Sequence, residues 1–209
     1  SILSRLLVST WTSRSPAAAN EWYAVCWSPQ LRLFAAVANT GAGNRVMTSP
    51  DGVTWTSRTS AADNSWQSTC WSPQLSLFVA VSNTGTSRVM TSPNGINWTA
   101  RTGINTAEWQ SVCWSPQLGL FVAVAASGAN QVMTSPDGIN WTGRLTSSAT
   151  SWWSVCWSSE LGLFVAVAAS GANQVMTSPD GTNWTVRTAA SSNSWLSVCW
   201  SPQLRLFTA

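Results

Sequence analysis

Short apolar runs separated by small polar segments recur along the whole chain. The pattern occurs several times, and its third occurrence begins at Trp109. There, alternating or apolar runs cover Trp109–Trp114 and Leu120–Ala125, and shorter runs follow at 131–134 and 140–142. Runs of this length between clusters of Gly, Pro, Asn and Ser are typical of β-strands. Because no window shows an apolar period near 3.6 residues, helices are not expected. Each copy therefore predicts four short strands.

The unit returns at a nearly constant spacing. The five cysteines, Cys26, Cys70, Cys113, Cys156 and Cys199, are 44, 43, 43 and 43 residues apart, and each lies in a Trp-x-x-x-Cys-Trp segment. The stretch from Leu118 to Gly138 is repeated letter for letter from Leu161 to Gly181. Four short antiparallel strands with a period of about 43 residues describe one blade of a β-propeller.

The copies count to five when both ends of the chain are combined. Four repeats span about 22–65, 66–108, 109–151 and 152–194, and residues 195–209 supply two strands of a fifth. Trp11–Ser15 matches Trp55–Thr59, the outermost strand of the first repeat. We therefore predict a single all-β domain over 1–209, a five-bladed β-propeller of four-stranded antiparallel blades. Its ring is closed by a blade built from 195–209 plus 1–21, although 1–21 lacks the Ser-Pro-Asp-Gly turn.

The turn before the fourth strand includes Ser135, Asp137, Gly138 and Trp141 in the third repeat, and the second repeat carries Asn94 instead of the acid. This pattern resembles the Asp-box of sialidase-type and photosystem-assembly-factor propellers, without the spacer that the family has between Asp and Gly. The resemblance implies a propeller with this turn between the third and fourth strands. It implies no sialidase chemistry, because the tyrosine nucleophile, the grouped arginines and the unpaired acids have no evident counterparts. The five-bladed architecture is also similar to that of tachylectin-type lectins.

Composition narrows the chemistry. The chain has no histidine and no lysine, 8% charged residues and a formal net charge of +3. Ser-His and Cys-His pairs, imidazole metal sites and Schiff bases are thereby excluded. The chain has no Cys-x-x-Cys pair that would suggest a metal site and no motif that would suggest a cofactor. It also has no run of basic residues that would suggest a nucleic-acid partner. We therefore expect no catalytic activity, no bound metal or cofactor, and no nucleic-acid partner.

The repeated side chains have structural interpretations. Blade-to-blade spacing of about 10 Å predicts reduced, packed cysteines, and most of the 16 tryptophans are expected between blades. Strand alternation predicts that Trp109, Ser111 and Cys113 face one way. Asp51, Asp137 and Asp180 are expected to accept backbone N–H bonds. The arginines at the ends of the outermost strands guard the sheet edge or form an anion-binding ring; they are 14, 58, 101, 144 and 187.

Nothing in the sequence predicts membrane insertion. No apolar stretch approaches the roughly 20 residues of a spanning helix, and Ser1–Val8 is not interpreted as a signal peptide. The compartment stays open, with a secreted, viral or cell-surface setting compatible. A closed ring predicts a monomer.

Function is predicted from the loops on one face. Loops after the second and fourth strands collect small, amide-rich segments, which suit neutral hydroxylated ligands. The prediction is a lectin-like, multivalent binding module; the alternative is a scaffold or display propeller with a protein partner and no small ligand. The candidate ligand-binding residues are Asn39, Asn44, Arg45, Asn64, Asn83, Arg88, Asn130, Gln131, Asn173, Gln174 and Asn193.

Overall fold

The structure is a computed structural model that describes residues 11–104, 106–146, 150–171 and 173–209. All regular elements in these ranges are strands. The first two sheets contain β1 (Trp22–Ser28), β2 (Leu33–Ala38), β3 (Val46–Ser49), β4 (Thr56–Arg58), β5 (Trp66–Ser72), β6 (Leu77–Ser82), β7 (Val89–Ser92) and β8 (Thr99–Arg101). The remaining sheets contain β9 (Trp109–Ser115), β10 (Leu120–Ala125), β11 (Val132–Ser135), β12 (Thr142–Arg144), β13 (Ser151–Ser158), β14 (Leu163–Ser170), β15 (Val175–Ser178), β16 (Thr185–Arg187), β17 (Cys199–Ser201) and β18 (Leu206–Thr208).

Each repeat folds into its own antiparallel sheet. Four sheets contain four strands in chain order, and β17 pairs with β18 in a small fifth sheet. We number them sheet 1 to sheet 5. The predicted all-β propeller class and the repeat of about 43 residues are confirmed. The predicted strands of the third repeat differ from the observed ones by at most two residues at either end.

Successive sheets stack face to face, with the first strand of each sheet against the first strand of the next. Alternation along β10 supplies both packing faces: Val122 and Val124 join a core with sheet 4, whereas Phe121 and Ala123 join a core with sheet 2. Each interior interface therefore brings a valine face against a face built from aromatic residues, alanine and methionine. The predicted burial of tryptophan between blades is confirmed at Trp66, Trp109 and Trp152, which are fully buried.

One prediction about strand orientation is wrong. Trp109 packs in the same core as Val112 and Trp114, not on the side of Cys113, which packs against sheet 4. The register between β9 and β10 shifts between Val124 and Ala125, where Gln110 has no partner. This β-bulge inserts one residue and so reverses the alternation that simple counting predicts.

Two hydrogen bonds recur between neighbouring sheets. In one, a strand amide donates to a serine of the preceding sheet, as from Val112 N to Ser68 Oγ (3.2 Å) and from Val155 N to Ser111 Oγ (3.2 Å). In the other, an indole donates to a turn side chain of the preceding sheet. The indole pairs are Trp71 with Gln30 (2.8 Å), Trp114 with Gln74 (2.8 Å), Trp157 with Gln117 (2.7 Å) and Trp200 with Glu160 (2.6 Å).

The amino-terminal segment differs from its predicted role where it is described. Residues 11–16 lie in no strand, and Trp11 is fully exposed. In the four complete repeats, the outermost strand follows a Ser-Pro-Asp-Gly or Ser-Pro-Asn-Gly turn that pairs it with the third strand, and this segment has no such turn. Residues 1–10 lie outside the described residues, so a blade shared by both termini, and the exact repeat boundaries, stay predictions.

The described ranges contain no helix that is long and apolar enough to cross a membrane.

Replacing the buried indole at the centre of an interface should destabilise the fold strongly. We expect Trp109→Ala to lower the free energy of unfolding by about 3–5 kcal/mol, because it leaves a cavity between sheets 2 and 3. Trp11→Ala is the matched control, since Trp11 is fully exposed, and should change stability by less than about 0.5 kcal/mol. Urea unfolding followed by circular dichroism measures both; equal effects would contradict the interface.

Candidate ligand-binding sites

The Asp turns are closed by their own backbone. Asp51 Oδ1 accepts the N–H groups of Val53 and Thr54 at 2.8 Å each, and Ser49 Oγ accepts the N–H of Gly52 at 2.8 Å. In the second repeat, Asn94 Oδ1 accepts two backbone N–H groups in the same way. The predicted structural role of these aspartates is confirmed.

These hydrogen bonds favour the ionised carboxylates. The backbone N–H groups of Thr54 and Val53 lower the pKa of Asp51 to about 2. At Asp137 and Asp180, partial burial acts to raise the pKa, but backbone and side-chain hydrogen bonds from Asn140 and Asn183 outweigh it and bring each value to about 2. Carboxylates with such a low pKa hold no proton near neutral pH, so they are poorly suited to general acid chemistry.

The cysteines are free thiols, as predicted. Burial raises the pKa of Cys26 and of Cys156 to about 12, and it raises the pKa of Cys70 and Cys113 well above the usual range. A thiol that stays protonated at neutral pH is a weak nucleophile and a weak metal ligand. No cluster of three or more Cys, Asp, Glu or His side chains suited to a metal occurs in the described parts of the chain.

The loops between the second and third strands, together with the segments that connect one sheet to the next, form one rim. In the second, third and fourth repeats, the side chain immediately before the third strand ties a loop to the following connecting segment. Arg88 Nη1 donates to Ala107 O (2.7 Å), Gln131 Nε2 donates to Thr150 O (2.8 Å) and Gln174 Nε2 donates to Asn193 O (2.6 Å). The rim is thus held by a repeated belt of hydrogen bonds.

Other predicted site residues support the same belt. Asn64 is buried and donates to Ser87 O (2.6 Å), and Arg45 donates to Asn39 O (2.6 Å) and lies 3.8 Å from Asp63. Asn44 accepts a hydrogen bond from Asn20 through its backbone oxygen. The structure therefore spreads the eleven predicted residues around the rim, with much of their hydrogen-bonding capacity already used within the protein.

Three predicted rim residues retain unused side-chain groups. Asn83 Oδ1 is a buried acceptor with no hydrogen-bond partner in the described structure. The side chains of Asn130 and Asn173 take part in no hydrogen bond with described residues. The prediction of ligand binding at the rim stays a prediction, concentrated on these amides.

A second kind of site lies at the outer edge, between the outermost strands of neighbouring sheets. We call these the peripheral clefts. One has a volume of about 440 Å³ and is lined by Arg101 together with Ile139, Asn140 and Trp141 of the next sheet. Its equivalent one repeat later has about 480 Å³ and is lined by Arg144 and by Thr182, Asn183 and Trp184.

The peripheral clefts present both donors and acceptors. Arg101 Nε donates to Thr91 Oγ1 (3.0 Å), which fixes the side chain, while its Nη groups make no hydrogen bond with described residues. Asn140 donates through Nδ2 to Asp137 (2.7 Å), which leaves its Oδ1 available as an acceptor. Trp141 is half-buried and donates its N–H to Gly138 O (3.1 Å). Each cleft thus combines a guanidinium, an amide oxygen and an indole.

The sequence predicts an anion-binding ring of the recurring arginines as one alternative, but no site that combines an arginine with the Trp141 turn of the next repeat. The missing information was that the end of β8 faces the start of β12, which follows from how the sheets stack.

Acid should destabilise the protein through the Asp turns. A carboxylate whose pKa is about 2 in the folded chain stabilises the fold above its unfolded value near 3.8, and this contribution is lost as pH falls towards 2. We expect the melting temperature to fall between pH 4 and pH 2. The triple variant Asp51→Asn, Asp137→Asn, Asp180→Asn, which copies the native Asn94 turn, should show a smaller fall; an unchanged fall would contradict this origin.

Comparisons with known proteins show the fold alone. No protein-family model matches the chain, and no curated protein sequence matches it. Among solved structures, YCF48 from Cyanidioschyzon merolae superposes with a TM-score of 0.62 and 20% identity, over 87% of this chain and 60% of that one. A streptogramin B lyase matches with a TM-score of 0.68 and 9% identity, over 81% of this chain and 55% of that one. A chain of a nidogen–laminin complex matches with 0.65 and 10%, over 86% and 68% respectively. These neighbours are β-propellers, enzymes and non-enzymes among them.

Proposed function

We propose that this chain is a non-catalytic binding module with repeated weak sites for neutral hydroxylated ligands, of which carbohydrates are the natural class. The observation that carries the proposal is the peripheral cleft, which recurs between sheets 2 and 3 and between sheets 3 and 4 with an arginine, an asparagine and a tryptophan at equivalent positions. The sequence prediction put the sites on the rim; the clefts are the better-equipped location, and the rim amides form the second.

The cleft groups match the chemistry of a sugar. A pyranose offers hydroxyl groups that both donate and accept, and a guanidinium with an amide oxygen serves both roles. The half-buried Trp141 and the exposed Ile139 supply apolar surface for the C–H face of the ring. Ligand sites commonly combine such apolar walls with a few convergent polar groups.

Repetition compensates for weak single sites. An open cleft of about 440–480 Å³ covers only part of an oligosaccharide, so each site should bind weakly. When equivalent clefts are carried on one rigid frame, a branched or surface-bound ligand engages several at once and the overall affinity rises without new contacts.

The turn aspartates support a non-catalytic role and an Asp-box-type origin. Asp137 lies beside one cleft, but its carboxylate is occupied by Ile139 N (2.8 Å), Asn140 N (2.8 Å) and Asn140 Nδ2 (2.7 Å). A carboxylate held in this way positions Asn140 for binding. We infer that the turn is an Asp-box variant kept for this structural use.

A scaffold is the second candidate. It is favoured by the similarity to a propeller chain from a nidogen–laminin complex, and by the exposed apolar side chains that the repeat presents at its outer turns, such as Ile96 and Ile139. Such a module would bind a protein partner and no small ligand.

Binding should be visible by calorimetry against neutral oligosaccharides such as cellobiose, lactose and diacetylchitobiose. We expect dissociation constants in the millimolar range per site, and a loss of about tenfold or more in the double variant Arg101→Gln, Arg144→Gln, since hydrogen bonds to charged groups contribute about 1.5–3 kcal/mol. The matched control is Arg32→Gln, Arg205→Gln, which removes the same charge at exposed turns.

The outcomes separate the candidates. A loss in Asn130→Ala, Asn173→Ala with normal binding in the cleft variant would move the sites to the rim. Binding only to sulfated sugars, abolished by salt, would indicate the anion-binding arginine ring instead. No binding of any sugar at millimolar concentration would contradict the proposal and leave the scaffold.

A further inference from the structure

The two ends of the stack expose opposite halves of the interface that joins every pair of interior sheets. We call the uncovered side of sheet 1 the amino-end face. It includes the exposed Val25 and Trp27, and an open apolar cavity of about 230 Å³ on it is lined by Trp22, Val25, Trp55 and the buried Met47. We call the uncovered side of sheet 5 the carboxyl-end face. By equivalence with the interior repeats it carries Ser197, Cys199, Gln203 and Leu206, all of which are exposed, and Leu206 also borders a cavity of about 430 Å³ between sheets 4 and 5.

The interior repeats show what normally covers the amino-end face. Val25 is 57% exposed, whereas its counterparts Val112 and Val155 are each 5% exposed, because the preceding sheet packs on them. Likewise Met47 and Trp55 correspond to Met133 and Trp141, which pack in a core with Val79, Val81 and Val89 of the preceding sheet. The face is built for the carboxyl side of another repeat.

At the two ends of the stack, each of the two recurring hydrogen bonds between sheets lacks one of its partners. Trp27 Nε1 donates no hydrogen bond within the described residues, and its partner position in the preceding repeat is that of Gln203, which accepts none. Val25 N corresponds to the amides that bond to serine, and Ser197 corresponds to the serine that accepts at the next interface. Each end thus carries the group that the other end lacks.

A third contact of the interior interfaces, between a leucine and a turn glycine, also has one partner at each end of the stack. At the interior interfaces a leucine fills the space over the turn glycine: a Cβ on Gly138 would come within 2.9 Å of Leu77 Cδ2, and one on Gly181 within 2.9 Å of Leu120 Cδ2. Within the described residues, no leucine lies within 4 Å of a Cβ placed on Gly52, and Leu206, at the equivalent leucine position, is 55% exposed.

We propose that the amino-end face of one copy binds the carboxyl-end face of a second copy of this chain, head to tail. The three pairings across the contact are Val25 N with Ser197 Oγ, Trp27 Nε1 with Gln203 Oε1, and Gly52 with Leu206. Ser197 lies just before β17, Gln203 lies in the turn after it, and Leu206 lies on β18. The contact is heterologous, and such contacts propagate until a ring closes. It replaces the sequence expectation of a monomer, which depended on one chain closing on itself.

A disulfide reports this contact directly. Across the first interior interface, Cys26 Sγ lies 3.7 Å from Thr69 Oγ1, and the equivalent pair between copies is Cys199 and Val25. In Val25→Cys, mild oxidation should therefore link the new thiol to the native Cys199 of a second copy. Non-reducing electrophoresis and peptide mapping should show covalent dimers and higher multimers joined at these two positions. Val53→Cys, which places a thiol of similar exposure on an outer turn (Val53 is 47% exposed), is the matched control and should give few.

The unmodified chain should also associate without a disulfide. Light scattering at micromolar concentration should give a mass that is a multiple of 22.4 kDa. Val25→Arg should return it to 22.4 kDa with an unchanged far-UV circular dichroism spectrum, because residue 25 is exposed in the single copy. A chain that stays monomeric at all concentrations overturns the proposal. So does a disulfide that joins the thiol introduced at position 25 to Cys199 within one chain, which would show that the ring closes on itself.

Discussion

Each sheet in this protein has to bury both of its faces, and this requirement governs most of the structure. A sheet whose strands alternate valine on one side with phenylalanine and alanine on the other cannot leave either side in water without a large cost. Stacking repeats solves the problem for every interior sheet, since the valine side of one meets the aromatic side of the next. The solution is local, which explains why nearly identical repeats can be added without changing the fold.

Hydrogen bonds between the sheets then fix how they stack. Apolar faces alone allow sliding, whereas an amide that must reach a serine hydroxyl and an indole that must reach a turn side chain define one register. Both bonds lie near the first strands, where neighbouring sheets approach each other. At the outer strands the sheets are joined less closely, and the peripheral clefts open there. The same geometry therefore makes the centre tight and the edge available to ligands.

The fold could be predicted because its signals are local. Apolar runs, Pro-Asp-Gly turns and the constant spacing of the cysteines mark strands and blades directly. The orientation of Trp109 could not be predicted in this way, because the bulge at Gln110 is visible only in the pairing with β10. The second position of the Trp-x-x-x-Cys-Trp segment is occupied by Tyr23, Gln67, Gln110, Trp153 and Leu196, a variability that fits a residue outside the regular alternation.

The candidate sites were harder to predict for a related reason. A sequence does not show whether an asparagine, glutamine or arginine in a loop is available to a ligand or already donates a hydrogen bond to a neighbouring carbonyl. At the rim, Gln131 and Gln174 do the second, since loop carbonyls without strand partners need donors. Among the described residues, Arg101 and Arg144 donate through Nε alone, to Thr91 and Thr134, and both arginines line the clefts between sheets. Because the chain has few charged residues, guanidinium donors without a hydrogen-bond partner are few. Their number and placement indicate function better than the abundance of tryptophan does.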